Sequence, residues 1–256
     1  MDFKPCIDIH NGKVKQIVGS TLSDESGAAS ENFISDRNGA YYASLYRSYG
    51  LEGGHVINLN RADSPFYDAS RQQMFDALFA YPGGLMAGGG INADNAAEYI
   101  DAGASHVIVT SFVFRDGKID RENLARLNGA VGPEHIVLDM SCIYKDGAYM
   151  VATDRWQKIS DEKVCPELFE SLAGCCDGFL VHAVDAEGRS SGIDERLIGI
   201  LASSPISICY AGGISSLDDI RKLREAGGGR VDFTIGSGLK IFGGSLGIEE
   251  IIECIR

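Results

Sequence analysis

Two aspartates lie near the ends of short apolar segments and are suited to acid–base chemistry. Asp8 follows the apolar residues of PCIDI, and Asp139 occupies a similar place in IVLDM, 131 positions later. Two carboxyl groups that face each other can divide proton transfer, one ionised as the base and one protonated as the acid. The alternative for each is a structural role, in which the side chain caps or braces a loop. We predict that both residues are catalytic.

Two glycine clusters follow apolar segments at nearly the same spacing. AGGGI contains Gly89 and Gly90, AGGI contains Gly212 and Gly213, and the isoleucines of the two clusters are 123 positions apart. Glycine at a strand end that opens into a helix lets backbone amides approach a phosphate, and the helix dipole favours the anion. Close packing would explain one such cluster. Because the cluster occurs twice, we predict two phosphate-binding turns.

Each glycine cluster is followed, one helix later, by a segment that ends in small polar residues. HVIVTS supplies Thr110 and Ser111, and DFTIGSG supplies Gly236, Ser237 and Gly238. The loops after the seventh and eighth strands are the usual phosphate site of an α/β barrel. We therefore assign these five residues to the same two phosphate sites. A ligand that occupies both would be a small molecule with a phosphate at each end.

Charge and composition argue against several other classes of protein. The net charge is −13 and the pI is near 4.8, whereas binding of nucleic acid or of an anionic membrane needs clustered Lys and Arg. No apolar run reaches the roughly 18 residues of a membrane-spanning helix. The first residues show neither a signal-peptide nor a transit-peptide pattern. We expect a cytoplasmic protein that binds no nucleic acid and no membrane.

The seven cysteines show no spacing typical of a metal site or a disulfide framework. Their count is odd and no C-x-x-C occurs, so we expect reduced thiols that pack as small apolar side chains. No His, Cys or carboxylate cluster has metal-ligand spacing, and no metal site is predicted. The chain also lacks a nucleophile elbow, which argues against acyl transfer.

Strand and helix patterns alternate along the whole chain and would position these residues. Short apolar runs predict buried parallel strands at residues 3–9, 55–59, 84–88, 106–110, 136–140, 178–184, 206–211 and 233–236. Helical patterns follow near residues 36–49, 70–80, 93–102, 121–129, 161–173, 194–203, 216–226 and 246–254. Eight such units predict an α/β fold, a (β/α)8 barrel that forms one domain over residues 1–256. A doubly wound open sheet is the alternative.

The second half of the chain repeats the pattern of the first, which predicts two half-barrels of about 1–130 and 131–256. Such a barrel would place Asp8 and Asp139 opposite each other across its mouth. Two segments interrupt the alternation: a turn at Asn11-Gly12 with a further strand-like run, and a hairpin around Asp146-Gly147. Both follow the carboxyl end of a strand, where barrels build active sites.

Several motifs together resemble one family over essentially the whole chain. The motifs PCIDIHNGKVKQIVGSTL, HVINL, AGGGI, VLDM, LVHAVDAEGRSSGID and YAGGISSLDD are similar to the phosphoribosylformimino-5-aminoimidazole carboxamide ribotide isomerases of histidine biosynthesis, in their eukaryotic-type branch. The resemblance implies an Amadori rearrangement of a doubly phosphorylated N-ribosyl aminal to an aminoketose, without metal or organic cofactor. It implies that Asp8 takes the proton from ribose C2′ and that Asp139, as the acid, helps to open the ring.

The resemblance also implies further substrate contacts. Trp156 would stack on the heterocycle, with burial in a core as the alternative, and Arg155 would reach a phosphate or remain a surface charge. His55 matches a family histidine, with simple packing as the alternative, and Gly192 belongs to the motif LVHAVDAEGRSSGID. We assign all four to substrate binding.

The chain departs from the bacterial pattern of this family at several positions. His182 stands at the end of the sixth strand, where a Thr is usual, and would orient Asp139 or the substrate; a structural His is the alternative. Asn58 and Asn60 stand in INLN, where bacterial relatives carry VDLD. We include His182 among the catalytic residues.

Three hypotheses about function stay open at this point. The first is the isomerase, acting as a monomer. The second is the related cyclase subunit of imidazole glycerol phosphate synthase, or an isomerase that also accepts phosphoribosyl anthranilate. The cyclase carries a Lys eight positions after its first Asp, where this chain has Gln16. The third is a catalytically silent barrel that binds a phosphorylated metabolite, which the presence of two carboxylates near the predicted phosphates disfavours.

Overall fold

Eight parallel strands form the centre of the molecule. The computed structural model describes residues 1–17, 31–153, 158–184 and 192–256. Each strand pairs with the next one along the chain. Labelled β1 to β8 in chain order, the strands are Cys6–His10, Gly54–Asn58, Leu85–Gly88, Val107–Val109, Ile136–Lys145, Gly178–Ala183, Ser207–Ala211 and Asp232–Thr234. All eight predicted strands are confirmed; their ends agree within three residues, except that β5 continues to Lys145, five residues beyond its predicted end.

The residues before β1 close the sheet into a barrel. Phe3 forms a parallel bridge with Phe233 of β8. The amide of Lys4 donates to the Phe233 carbonyl at 2.9 Å, and the Phe233 amide donates to the Asp2 carbonyl at 3.1 Å. The two phenylalanine rings stack with their centroids 5.6 Å apart. The predicted (β/α)8 barrel is therefore confirmed, and the open sheet is excluded.

Helices alternate with the barrel strands. Labelled α1 to α8, they are Gly39–Ser48, Tyr67–Ala80, Ala96–Asp101, Arg121–Val131, Pro166–Leu172, Glu195–Leu201, Leu217–Gly227 and Ile248–Ile255. Side chains of Asn38, Asp120, Asp194 and Ser216 cap four of them by accepting a hydrogen bond from a first-turn amide, which satisfies a donor that the helix itself leaves unpaired. None of the helices in the described ranges is long and apolar enough to cross a membrane.

Alternation along the strands separates two packing environments. In β1, Ile7 and Ile9 are fully buried in the large core between strands and helices, whereas Cys6 and Asp8 point to the other face, the barrel interior. A smaller cluster fills that interior, formed by Ile108, Val137, Leu180, Cys209 and Ala211. The continuous apolar runs of the sequence are explained by these two environments, because both faces of each strand are buried.

Both predicted interruptions of the barrel pattern are hairpins. Asn11 and Gly12 have φ of 53° and 72°, and the strand Lys13–Ile17 returns antiparallel to β1. Asp146 and Gly147 have φ of 50° and 87°, and Ala148–Thr153 returns along the extended β5. Two-residue hairpin turns need such positive φ values, which Asn, Asp and Gly adopt most readily.

Other antiparallel strands differ from the sequence prediction. Lys158–Lys163 pairs with Ala148–Thr153, so residues 161–163 are strand, and helix α5, predicted from residue 161, begins only at Pro166. Glu and Lys favour helices, but this preference is overridden there because a neighbouring strand supplies hydrogen-bond partners for the backbone. Glu31–Ile34 pairs with Lys13–Ile17, and Phe114–Arg115 pairs with Lys118–Ile119.

An ion pair at the closing strand should contribute measurably to stability. Lys4 Nζ lies 2.8 Å from Asp232 Oδ2, with both side chains 14% exposed. We expect Lys4→Met to lower the free energy of unfolding by about 1–3 kcal/mol, since it removes the nearer of the two ammonium groups that face a mostly buried carboxylate; the Met1 ammonium stays 3.8 Å from it. The matched control is Lys222→Met, which breaks an exposed pair with Asp218 and should cost less than about 0.5 kcal/mol. Urea denaturation measures both, and equal effects would contradict the prediction.

Candidate active site

Asp8 is held by a side chain from the first hairpin. Nε2 of Gln16 donates to Asp8 Oδ2 at 3.2 Å, and Gln16 is 4% exposed. Because Gln16 lies on the strand Lys13–Ile17, the Asn11-Gly12 turn is what brings it back over β1. In the sequence, Gln16 is notable only as the position where the cyclase has a Lys. Its contact with Asp8 depends on how the hairpin folds over the barrel.

Gly236 provides the space that Gln16 occupies. A Cβ atom at Gly236 would overlap Oε1 of the Gln16 carboxamide. Gly236 lies just beyond the end of β8, which neighbours β1 in the closed barrel. Close packing therefore also explains a glycine at position 236, which was predicted to bind phosphate. A larger residue there would displace the Gln16 carboxamide that orients Asp8.

Asp139 is held by groups from both neighbouring strands. Thr110, directly after β4, donates its hydroxyl to Asp139 Oδ2 at 2.8 Å. His182 on β6 places Nε2 3.4 Å from Asp139 Oδ1. The Asp139 and His182 side chains are 17% and 22% exposed, so the pair is partly screened from solvent. The hydroxyl of Thr110, a residue predicted to bind phosphate, is thus engaged with this carboxylate.

The two glycine turns have closely matching backbones. Gly89 and Gly90 have φ of 100° and 71°, and Gly212 and Gly213 have φ of 138° and 71°. A Cβ at Gly89 would overlap the carbonyl oxygen of Asn58, and one at Gly212 would lie 3.1 Å from that of Ala183. The first glycine of each turn therefore packs against the end of the preceding strand. Within the described ranges, no hydrogen bond from the Gly90 or Gly213 amide is found, so both can serve a ligand.

Asp219 organises the second glycine turn. Its Oδ2 accepts from the amides of Ser215 and Ser216 at 3.0 and 2.9 Å, while Ser216 Oγ accepts from the Asp219 amide at 3.2 Å. Burial opposes ionisation, but these hydrogen bonds outweigh it and lower the pKa of Asp219. A Cβ at Gly192 would lie 3.8 Å from Asp219 Oδ1. Gly192, which was predicted to bind substrate, therefore lies beside the second turn.

The loop after β8 packs onto the same turn. A Cβ at Gly238 would lie 2.7 Å from the carbonyl oxygen of Ile214. Ser237 is half-buried next to it, and Ser111, its counterpart after β4, is exposed. The structure thus brings the two segments of the second predicted phosphate site together. Arg155 and Trp156 lie outside the described residues.

His55 lies inside the barrel beneath Asp8. It is 5% exposed, and this burial lowers its pKa to about 3, with smaller contributions from the nearby charges of His182 and Lys4. Its ring therefore stays neutral at physiological pH. Cys6 is its register partner on β1, and burial, reinforced by the Asp8 carboxylate, raises the pKa of the Cys6 thiol well above its ordinary value. Donor atoms of Cys6, Asp8 and His55 all lie within 4.8 Å of one another.

The positions of the two aspartates in the closed barrel indicate what kind of protein this is. β1 and β5 are half a turn apart in the closed barrel, and each carries a carboxylate towards the end where barrel active sites lie. Such a barrel is an enzyme scaffold for acid–base chemistry. The sequence model of the histidine biosynthesis protein family matches residues 3–239, and the chain belongs to that family.

Relatives of the chain are named alike. One from Medicago truncatula is 52% identical over 98% of this chain and 81% of its own length, and is named as a chloroplastic 1-(5-phosphoribosyl)-5-((5-phosphoribosylamino)methylideneamino)imidazole-4-carboxamide isomerase. Isomerases of the same name from Yarrowia lipolytica and Saccharomyces cerevisiae are 44% and 41% identical, over 94% and 95% of this chain and 92% and 94% of their own lengths. Neither the cyclase nor the silent-barrel alternative is supported by these names.

The buried His55 should make stability depend on pH. The unfolded chain binds a proton at His55 below pH 6.5, but the folded protein does so only near pH 3, so stability is lost as the pH falls through this window. Between pH 7 and pH 5 the His55 contribution should amount to about 2 kcal/mol. We expect His55→Gln to lose correspondingly less stability over that interval, measured by denaturant unfolding. Identical pH dependence in the two proteins would contradict the prediction.

Proposed function

We propose that this protein isomerises 1-(5-phosphoribosyl)-5-((5-phosphoribosylamino)methylideneamino)imidazole-4-carboxamide to the corresponding aminoketose by acid–base catalysis. The observation that carries the mechanism is the pair Asp8 and Asp139, each oriented by a neutral donor, on opposite strands of one barrel. The relatives' names supply the substrate. The reaction moves protons and an electron pair within one molecule and needs no external oxidant or reductant.

Asp139 acts as the acid. In its protonated form it delivers a proton to the ribose ring oxygen, and the ring opens as the C1′–O bond breaks and the electron pair of the amino nitrogen forms a C=N bond. The Thr110 hydroxyl donates a hydrogen bond to one carboxyl oxygen, and His182 Nε2 lies 3.4 Å from the other. These contacts favour one orientation of the group before the substrate arrives. His182 is also placed to exchange the proton with Asp139 or to contact the opened sugar.

Asp8 acts as the base. It removes the proton from C2′ of the opened sugar, and the C–H electron pair forms the C1′–C2′ double bond while the C=N bond returns its pair to nitrogen. Reprotonation at C1′ and loss of the hydroxyl proton then give the ketone at C2′. Gln16 keeps Asp8 oriented through a neutral carboxamide donor. His55 is a predicted substrate-binding residue, and any contact that it makes with the substrate would come from beneath Asp8.

The two glycine turns hold the ends of the substrate. Gly89 and Gly90 with Thr110 and Ser111 bind one phosphate, and Gly212, Gly213, Gly236, Ser237 and Gly238 bind the other. Gly192 contacts the substrate beside the second turn. The support is the repeated positive-φ backbone and the amides of Gly90 and Gly213. Trp156 and Arg155 are proposed to contact the heterocycle and a phosphate. The monomeric state stays a prediction. The cytoplasmic location also stays a prediction, since the Medicago relative is named as chloroplastic.

Both aspartates should be required for turnover. We expect Asp8→Asn and Asp139→Asn to lower kcat by about 10²-fold or more, because an amide transfers no proton at these positions. Asp101→Asn, on the exposed end of α3, is the matched control and should behave like wild type. Absorbance-monitored turnover with EDTA present measures the effect, and circular dichroism verifies folding. Near-wild-type kcat in either active-site variant would contradict the mechanism, as would imidazole formation from the aminoketose and ammonia.

Substitutions in the glycine turns should raise KM more than they lower kcat. Gly90 has a left-handed φ of 71° and free space where a Cβ atom would lie. Gly50, just beyond α1, has the same free space and a φ of 67°. We expect Gly90→Ala to raise KM roughly tenfold with a smaller change in kcat, since it shifts an amide that binds phosphate. Gly50→Ala introduces the same backbone strain at the other end of the barrel and should leave KM unchanged. Equal KM values in the two variants would contradict the assignment.

A further inference from the structure

Three different metal-ligand types converge inside the barrel below the mouth. Cys6 on β1 and His55 on β2 are direct register partners. Asp8 lies two residues beyond Cys6 on the same face of β1. One donor atom from each, the Cys6 sulfur, a His55 ring nitrogen and an Asp8 carboxylate oxygen, lies within 4.8 Å of the other two. The three side chains therefore need only small adjustments to meet around one ion.

The chemistry of this donor set selects among cations. A thiolate, an imidazole and a carboxylate suit Zn²⁺ and related borderline ions such as Co²⁺, whereas Mg²⁺ and Ca²⁺ take oxygen ligands. Cys6 and His55 are 4% and 5% exposed, and both lie on barrel strands, which hold ligands more precisely than loops do. Asp8 is the partly exposed member of the cluster and gives it an opening towards the mouth.

Gln16 supplies the outer contacts that such a site requires. Its Nε2 lies 3.9 Å from Cys6 Sγ and 3.2 Å from Asp8 Oδ2. One amide group can therefore donate to two of the three ligands and draw them together. Hydrogen bonds of this kind fix the orientation of metal-binding side chains, and Gly236 leaves the space in which the Gln16 carboxamide sits.

We propose that Cys6, Asp8 and His55 form a binding site for Zn²⁺-class ions, and that an ion bound there inhibits the enzyme. The ion displaces the thiol proton, which leaves to solvent, and forms bonds to sulfur, nitrogen and oxygen without any change of oxidation state. A water molecule would complete the coordination of the ion. The inhibition rests on the proposed function, because the bound ion withdraws Asp8 from proton transfer. The binding itself does not.

Cobalt binding tests the site independently of activity. Metal-stripped wild-type protein titrated with Co²⁺ should develop a thiolate-to-cobalt charge-transfer absorption that Zn²⁺ abolishes. Cys6→Ser should lack the absorption. Cys176→Ser, which alters an equally buried thiol, 4% exposed and bonded to the Leu172 carbonyl outside the barrel, should retain it. Absence of the absorption in wild type, or its persistence in Cys6→Ser, would overturn the proposal.

Turnover then tests the link to catalysis. Zn²⁺ should inhibit wild type and Cys176→Ser, and EDTA should restore both, while Cys6→Ser should need a Zn²⁺ concentration at least about tenfold higher for the same inhibition. Equal sensitivity of Cys6→Ser and wild type would overturn the inhibitory role. Wild type that binds cobalt through Cys6 but does not turn over the aminal in EDTA would support the site and contradict the proposed function instead.

Discussion

Hydrogen bonds between the residues before β1 and strand β8 close the sheet, and the position of both aspartates depends on that closure. In an open sheet, β1 and β5 would be four strands apart, roughly 20 Å at the usual spacing between strands. The Phe3–Phe233 bridge instead curls β1 round to meet β8, so that Asp8 and Asp139 lie on opposite walls of one mouth. Closure also removes the sheet edges at β1 and β8, which would otherwise expose unpaired backbone groups.

The two halves of the barrel share a backbone plan but differ in the groups that hold each aspartate. After β4 the hydroxyl of Thr110 donates directly to Asp139. At the corresponding place after β8 there is Gly236, and the space beside it holds Gln16, whose amide donates to Asp8. His182 contacts Asp139 in addition. Two carboxyl groups with unlike surroundings are what a division into acid and base requires.

Much of the fold could be predicted because its signals are local. Continuous apolar runs mark strands buried on both faces, capping residues such as Ser216 mark helix starts, and Asn-Gly and Asp-Gly mark tight hairpins. The antiparallel strand Lys158–Lys163 was not predicted, because its Glu and Lys residues favour a helix and only pairing with Ala148–Thr153 makes it a strand. The role of Gln16 was not predicted either, because its hydrogen bond to Asp8 joins the first hairpin to the barrel interior and so depends on the tertiary structure.

The eight-unit barrel, the repeated glycine turns and the two aspartates can be predicted from residue types, because their patterns recur at short or regular spacing in the sequence. The groups that surround the aspartates follow from the folded arrangement instead. The thiol of Cys6 and the ring of His55 are 49 positions apart, a spacing that suggests no metal site. Parallel pairing of β1 with β2 makes them neighbours beneath Asp8. Such convergence follows from strand register and inward-facing alternation, which hydrogen bonds between distant segments set.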